Sequence, residues 1–473
     1  MLRKTLDNLP LSRPYLITTA IAVLIFYPTW IRLAEAWLEF EQVLAHGLAT
    51  AVIFFGLLVI HPPFHAERPT QSKPYHLAGA VLLIATTLIW GLLELVRIDT
   101  LAYLLLPAGL ITTAWALLGL PRAIAFIPYV LLLSLSLPIW ADLVPALVEV
   151  ASVVVGNWVG WFGMTALIEG NSITLPYGRL LIADGCSGIR YFAISILLAM
   201  MSSILNDYRW RGWLITLLVA GILGLIANWV RITILVVVAY ETNMQSELLA
   251  DHETMGWVVF AAFILPALYF SPVRKRATQP NMASGDSINK KGIVAVVTAM
   301  ALGPIALVLA HNTADQKPAW RINLPEFRQA QTATLPIPIS LPNELNEQIW
   351  SSGNTWVSFA QSQKKSPDEK LVPYLHQVFD KSMWQVVTQL EPGLNIYRNI
   401  LTRDKVLMAQ WYKVGSRKSW SYRNAKLLQI PAALRGETRF ALITIQTFCG
   451  PRDCTNVLAQ MHTTLASFDG LED

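Results

Sequence analysis

The stretch that decides the fold is WLITLLVAGILGLIANWVRITILVVVAY, residues 213–240. An apolar run of about 20 residues is long enough to cross the roughly 30 Å hydrocarbon core of a bilayer as a helix. The run predicts a membrane-spanning helix with one charged residue, Arg231, about 13 Å from its outer end at about 1.5 Å per residue. An arginine at that depth needs a polar cavity or a partner, which indicates a functional site.

The rest of the chain up to residue 310 has a similar composition. Hydrophobic residues make up 54% of the 473 residues and charged residues 14%, which excludes a purely soluble protein. Apolar runs predict nine spans: 14–32, 45–61, 75–95, 101–119, 122–140, 190–206, 213–240, 255–272 and 292–310. The formal net charge of +5 is spread over loops and the tail, so we expect no nucleic-acid partner.

Basic residues in the short loops predict the topology, because loops rich in Lys and Arg stay in the cytoplasm. They are Arg3, Lys4, Arg68, Lys73, Arg122, Arg209, Arg211, Arg274, Lys275, Arg276, Lys290 and Lys291. All lie on one side if the nine spans cross and 143–166, interrupted by Glu149, Gly156 and Gly160, is an interfacial or re-entrant helix. The N-terminus is then cytoplasmic, with a first span that we expect to be uncleaved. The loops 141–189 and 241–254 and the chain beyond 311 lie outside.

Composition divides the chain into four segments. Residues 1–276 form an eight-span module, 277–291 a polar cytoplasmic linker, 292–310 a last span and 311–473 an exported α+β domain. In the last segment, IWSSGNTWVSFAQ, LNIYRNILT, KVLMAQWYKV and TRFALITIQTF alternate as strands do, and CTNVLAQMHTTLASF predicts a closing helix. The fold class is therefore a polytopic α-helical membrane protein with a C-terminal α+β domain.

Two of the three cysteines, Cys449 and Cys454, stand close together in CGPRDC in the tail. In an oxidising compartment we expect them to form a disulfide. Two free surface thiols are the alternative. A metal site is not expected, because the CxxC spacing and a nearby histidine are absent from the sequence.

The third cysteine, Cys186, lies in LLIADGCSGIRYF, residues 180–192. Two short apolar runs around Pro176-Tyr177-Gly178 predict a hairpin before it, and a span begins after it. Cys186 therefore lies where an outer loop enters a helix N-terminus, which stabilises the nucleophilic thiolate. A buried structural cysteine is the alternative.

The neighbours of Cys186 fit a reactive turn. Gly185 and Gly188 leave room for a substrate backbone, and Ser187 is a candidate cap for the turn. Arg190 follows one helical turn later.

Two further elements supply the remaining groups of an acyl-transfer site. Asn228 lies on the same helix face as Arg231, three residues earlier. His252 opens the next span from the same outer side, where Asp251 or Glu253 could set its tautomer. A thiolate to attack a carbonyl, a histidine to move protons and an arginine to stabilise the oxyanion are the parts of such chemistry. HETMG lacks the second histidine of an H-E-x-x-H zinc site, so we expect no metal and no cofactor.

The motifs DGCSGIR and NWVRI, followed by a histidine opening the last span of the module, resemble the exosortase/archaeosortase family over residues 15–272. The resemblance implies a polytopic cysteine protease or transpeptidase with Cys186, Arg231 and His252 as catalytic residues. His252 is typical of the bacterial branch, whose archaeal counterparts carry arginine there. Asp184 replaces the glutamate that the family often has two residues before the cysteine.

The resemblance also implies partners and a location. The substrates are exported proteins that end in a Pro-Glu-Pro motif, a transmembrane helix and a basic tail, cut at the outer face of the bacterial inner membrane. The tail, through WYKVGSRKSWSYRNAKLL, resembles an exopolysaccharide-associated domain fused behind some exosortases, which implies a role in polysaccharide production.

Two alternatives stay open at the level of sequence. One is a transporter or export subunit for an anionic polysaccharide or lipid-linked substrate, in which Arg231 lines a path and Cys186 is incidental. The other is a structural scaffold for an assembly complex.

Overall fold

The computed structural model describes residues 2–38, 46–63, 76–249, 252–273, 290–312, 318–322, 324–329, 334–365, 369–375, 378–380, 383–450 and 454–469. Within this part the chain forms two compact units, Met1–Trp90 with Asp99–Gly303 and Gly91–Ile98 with Pro304–Asp473. Residues 277–289 of the expected linker lie outside the described residues.

The N-terminal part of the chain is helical. Its helices are α1 Leu2–Ile25, α2 Tyr27–Leu38, α3 Gly47–Ile60, α4 His76–Leu95, α5 Asp99–Leu118, α6 Leu120–Ser134, α7 Val144–Trp161, α8 Ile189–Leu205, α9 Trp210–Glu241, α10 His252–Tyr269 and α11 Lys290–Asn312. Helices therefore overlie all nine predicted spans. Between α7 and α8 lies a small antiparallel sheet, β1 Leu167–Glu169, β2 Ser172–Leu175 and β3 Gly178–Leu181.

Several of these helices fit a membrane span. Among the described residues, α4, α5, α7 and α9 are long and apolar enough to cross a bilayer, and α1 with α2 is a fifth candidate if the bent pair is one span. The shorter apolar helices α3, α6 and α8, and the apolar stretches of α10 and α11, have 10–17 residues. A membrane protein with several apolar helices is confirmed, whereas nine crossings stay a prediction.

The first predicted span, 14–32, covers parts of two helices that meet at a bend. The chain bends by 98° between α1 and α2. Pro28 is the second residue of α2, where its missing N–H costs nothing. The same proline cannot donate a hydrogen bond back into α1, so the helix ends there.

The segment that we expected to lie in the interface forms one continuous helix. α7 runs through Glu149, Gly156 and Gly160 without a break, and it is among the candidate spans by length and composition. The helix ends at Trp161, and a left-handed Gly163 follows two residues later. The glycines therefore do not interrupt this helix, and α7 is a candidate for a further crossing.

The C-terminal part of the chain is rich in sheet. Its elements are β4 Arg328–Gln329, β5 Asn346–Ser352, β6 Thr355–Gln363, β7 Trp384–Glu391, β8 Leu394–Asn399, β9 Lys405–Val414, β10 Arg417–Ser419, α12 Tyr422–Ala433, β11 Arg439–Gly450 and α13 Thr455–Asp469. The strand order is β4-β5-β6-β11-β9-β8-β7, with β10 beside β9. Every neighbouring pair is antiparallel.

Alternating residues of the central strands build a core on each face of this sheet, as a period of two requires. On one face Leu407 and Trp411 of β9 share a cluster with Met461 of α13. On the other face Tyr412 of β9 shares a cluster with Ala425 of α12. The predicted strands and the closing helix are confirmed. α12 was not predicted, because its only sequence signal, SYRNAKLL, is short and mostly polar.

Candidate active site

Cys186 lies at the end of a tight connection between a hairpin and a helix. β2 and β3 pair from Ser172 with Leu181 to Leu175 with Gly178, which confirms the predicted hairpin. A 3₁₀ turn, Asp184–Cys186, follows, in which the Cys186 N–H donates to the Ala183 carbonyl at 2.8 Å. α8 begins three residues later, so the cysteine immediately precedes a helix N-terminus.

The conformation of the turn after Cys186 depends on Gly188 and Ser187. Gly188 is the N-cap of α8, with φ of 84° in the left-handed region that favours glycine. The Ile189 N–H donates to Oγ of Ser187 at 3.4 Å, so the serine supports the turn from the position before the cap. Ser187 is 1% exposed.

Asn228 of α9 fills the space beside Gly188. A Cβ on Gly188 would lie 2.7 Å from Nδ2 of Asn228, and the same Nδ2 donates to the Cys186 carbonyl at 2.9 Å. Asn228 therefore occupies the space that a side chain at position 188 would take, and room for a substrate backbone at Gly188 stays a prediction. Gly185 differs, since a Cβ there would meet nothing within 4 Å.

Arg231 is buried against an aromatic ring. Its side chain is 6% exposed, and its Cζ lies 5.6 Å from the centroid of the Tyr191 ring. The Tyr191 ring in turn stacks on Phe260 of α10, with centroids 5.0 Å apart. Gly256 allows this approach, because a Cβ there would lie 2.1 Å from Tyr191 Oη and 2.6 Å from Arg231 Nε.

A cavity lies where α8, α9 and α10 meet. Its empty volume, including its opening to solvent, is about 360 Å³. It is lined by Gly185, Gly188, Arg190, Tyr191, Asn228, Arg231, Glu253 and Trp257. Nε of Arg231 and Oδ1 of Asn228 are both buried and have no hydrogen-bond partner among the described residues. Two residues that line the cavity therefore each hold a buried polar atom without a partner among the described residues.

Cys186 borders this cavity through its neighbours. The two glycines that flank Cys186-Ser187 line the cavity, whereas the half-buried Cys186 side chain packs against an apolar cluster that includes Ile189 and Ile232. The thiol is the one cysteine of the chain outside a disulfide. In this arrangement it lies at the edge of the polar cavity and against apolar neighbours.

α10 brings the third predicted group to the same region. His252 is the first residue of α10, one turn before Gly256 and about 6 Å from it along the helix axis. At the rim, Arg190 and Glu253 form an ion pair of 3.7 Å between two well-exposed side chains, which contributes little stability. The side chains of His252 and Asp184 lie outside the described residues.

Sequence reasoning missed Tyr191, Gly256 and Trp257. Tyr191 directly follows Arg190, and Gly256 follows His252 by four residues, the spacing of one helix face. An aromatic residue and a glycine are too common in membrane helices to be singled out without the packing.

In the C-terminal part, Cys449 at the end of β11 is bonded to Cys454 just before α13, with Cα atoms 5.0 Å apart. Cys454 is 3% exposed and belongs to the same core cluster as Met461.

Comparison with known proteins gives a family match in the helical part of the chain. The family model of transmembrane exosortases matches residues 37–269, a range that contains the hairpin, Cys186 and the whole cavity. No curated protein and no solved structure matches the chain. The helical part of this chain therefore belongs to the transmembrane exosortase family.

Proposed function

We propose that the protein is a membrane-embedded cysteine protease or transpeptidase of exported proteins. Its substrates carry a C-terminal Pro-Glu-Pro-type sorting signal, which it cuts at the outer face of the inner membrane as part of extracellular polysaccharide production. Family membership supports the processing of sorting signals. The observation that carries the proposal is the buried donor and acceptor pair, Arg231 and Asn228, beside the turn of the one cysteine outside a disulfide.

The proposed reaction begins at Cys186. The thiolate attacks the scissile carbonyl, the carbon–sulfur bond forms, and Arg231 donates to the oxyanion. The carbon–nitrogen bond then breaks, and His252 gives a proton to the leaving amine. Water or an amine next attacks the thioester, His252 takes the proton from that nucleophile, and the thiolate is regenerated. Hydrolysis and transfer differ only in this second nucleophile.

The environment of Arg231 supports its role. A guanidinium bonded to a carboxylate has part of its hydrogen-bonding capacity already used. Arg231 instead lies over the Tyr191 ring, and its Nε has no partner among the described residues. Such a cation retains donors for a developing negative charge.

The test is co-expression with a tagged protein that ends in a Pro-Glu-Pro motif, an apolar helix and a basic tail. Wild type is expected to shorten this protein, and Cys186→Ala and Cys186→Ser are both expected to lose processing by at least about 10³-fold, since removing a covalent nucleophile removes the main pathway. Gel mobility and intact mass report cleavage. Equal processing by all three forms, after equal membrane insertion, would favour the transporter alternative, which requires Arg231 and not Cys186.

A further inference from the structure

Asn228 and Arg231 line the cavity, and each has one buried polar atom that lacks a partner among the described residues: an acceptor on Asn228 and a donor on Arg231. Asn228 is 0% exposed and Arg231 is 6% exposed. Asn228 Oδ1 can only accept a hydrogen bond, and Arg231 Nε can only donate one. Neither has a partner among the described residues. Buried polar groups are nearly always satisfied in native proteins, so a ligand or solvent is expected to satisfy this pair.

The orientation of the Asn228 amide follows from its other contact. Its nitrogen lies 2.9 Å from the Cys186 carbonyl oxygen, which can only accept. The nitrogen must therefore be the end that faces Cys186, and Oδ1 is left as the free end. Asn228 and Arg231 are three residues apart in α9, so the acceptor and the donor lie on one face of this helix.

In an extended polypeptide the N–H and C=O of one residue point to the same side, so each residue presents a donor beside an acceptor. We propose that the cavity binds one extended residue of the substrate, with its N–H donating to Asn228 Oδ1 and its C=O accepting from Arg231. This inference rests on the proposed function and adds a binding residue and a substrate requirement to it. Gly185, where a side chain would meet nothing within 4 Å, leaves the side of the cavity next to Cys186 open to a chain.

The proposal sets a rule for the substrate. The residue whose nitrogen enters the cavity cannot be proline, because proline has no N–H. One backbone nitrogen near the cleavage point must therefore carry a hydrogen, and the neighbouring nitrogens need not.

The experiment uses the full-length chain in detergent and measures peptide binding as protection of a thiol from modification. The rate at which N-ethylmaleimide modifies Cys186 is followed by mass, and a synthetic peptide with a Pro-Glu-Pro motif, an apolar helix and a basic tail protects the thiol. A series of these peptides carries one backbone N-methyl group at successive positions. We expect methylation at one position to weaken protection by about tenfold, because it leaves a buried acceptor unpaired, and at the other positions to have little effect.

Two variants sharpen the result. Asn228→Ala should bind the sensitive N-methyl peptide and its parent equally, since the acceptor is gone. Thr233→Val is the matched control on the same helix: its hydroxyl donates within α9 to the Trp229 carbonyl, and it does not line the cavity. Thr233→Val should lose protection on N-methylation at the sensitive position to the same extent as wild type. If Asn228→Ala fails to insert, the methylation series on wild type still decides.

Protection that is equally strong with every methylated peptide would overturn the proposal. This is the result expected if water alone satisfies the two buried atoms of Asn228 and Arg231. Sensitivity that persists in Asn228→Ala would also overturn it, and so would a lack of protection by the parent peptide. Processing of the co-expressed substrate by the same preparation of wild type decides the proposed function separately. A protein that processes its substrate without any methylation effect would keep that function and lose the amide site.

Discussion

At the scale of the residue, the unusual feature is the position of Arg231 over the face of the Tyr191 ring. Charged side chains inside membrane helices usually pair with each other or with carbonyls. Arg231 lies over Tyr191, and cation–π contacts contribute about 0.5 to 2 kcal/mol depending on their exposure to water. The Tyr191 ring therefore holds the guanidinium of Arg231 in position and leaves some of its N–H groups available to donate hydrogen bonds.

This contact gives a prediction for Tyr191 as a positioning residue. Tyr191→Leu should lower kcat of sorting-signal processing by about 2- to 30-fold with little change in KM, the range that corresponds to the energy of such a contact. Tyr191→Phe keeps the ring face and should stay within about twofold of wild type. Initial rates at equal amounts of inserted protein check this. Leu and Phe variants with the same rate would show that the ring does not position Arg231.

At the scale of the element, small residues let α8, α9 and α10 approach closely. A Cβ on Gly224 of α9 would lie 2.7 Å from Oγ of Ser195 in α8, and Gly256 of α10 meets both Tyr191 and Arg231. Small residues at such crossings are the usual means by which membrane helices pack, because lipid gives no hydrophobic force between them. The position of the cavity therefore depends on glycines at the helix crossings.

Gly256→Ala tests this packing. The added methyl group would overlap Tyr191 Oη and Arg231 Nε, so we expect processing to fall at least about tenfold through movement of α10 or of the arginine. Gly56→Ala in α3 is the control, since a Cβ there meets nothing within 4 Å. Adding Tyr191→Phe to Gly256→Ala removes the closest overlap and should restore part of the rate. Full activity of Gly256→Ala would contradict the tight crossing.

At the scale of the whole molecule, the cysteines report where the tail is located. Cys449 and Cys454 are bonded, and Cys186 is free. Disulfides persist outside the cytoplasm and are rare inside it. In bacterial cells lysed under denaturing conditions with maleimide, we expect one labelled thiol before reduction and three after it. Three labelled thiols before reduction would argue for a cytoplasmic tail.

The control for this labelling is the double variant Cys449→Ser with Cys454→Ser, which should carry one label with or without reductant. The same variant should lose about 2 kcal/mol of stability in the sheet-rich part, the value expected for a short disulfide-closed loop. Thermal unfolding of this part by circular dichroism measures the loss. An unchanged midpoint would show that the core around Cys454 holds without the bond.

The sequence by itself determined the elements that depend on local chemistry. Apolar length predicted the helices, alternation predicted the strands of the tail, and Pro176-Tyr177-Gly178 predicted the hairpin before Cys186. Cys186 and Arg231 were also singled out from sequence as candidate site residues, because a thiol at a helix start and a charge in an apolar run are rare, and Asn228 was singled out because it shares the helix face of Arg231. The chemistry of single residues and short runs was enough for these.

Only the tertiary structure decided how the helices face each other. α9 is apolar almost all round, so its sequence has no polar stripe to show which face packs inward. The contacts of Asn228 with Gly188, and of Arg231 with Tyr191 and Gly256, join residues of consecutive helices that lie several turns apart along the chain. The bend between α1 and α2 likewise reorients a run that hydropathy reads as continuous. The rotation and close packing of the helices depend on how side-chain shapes fit across each crossing. The residue pattern within a single helix does not show that fit.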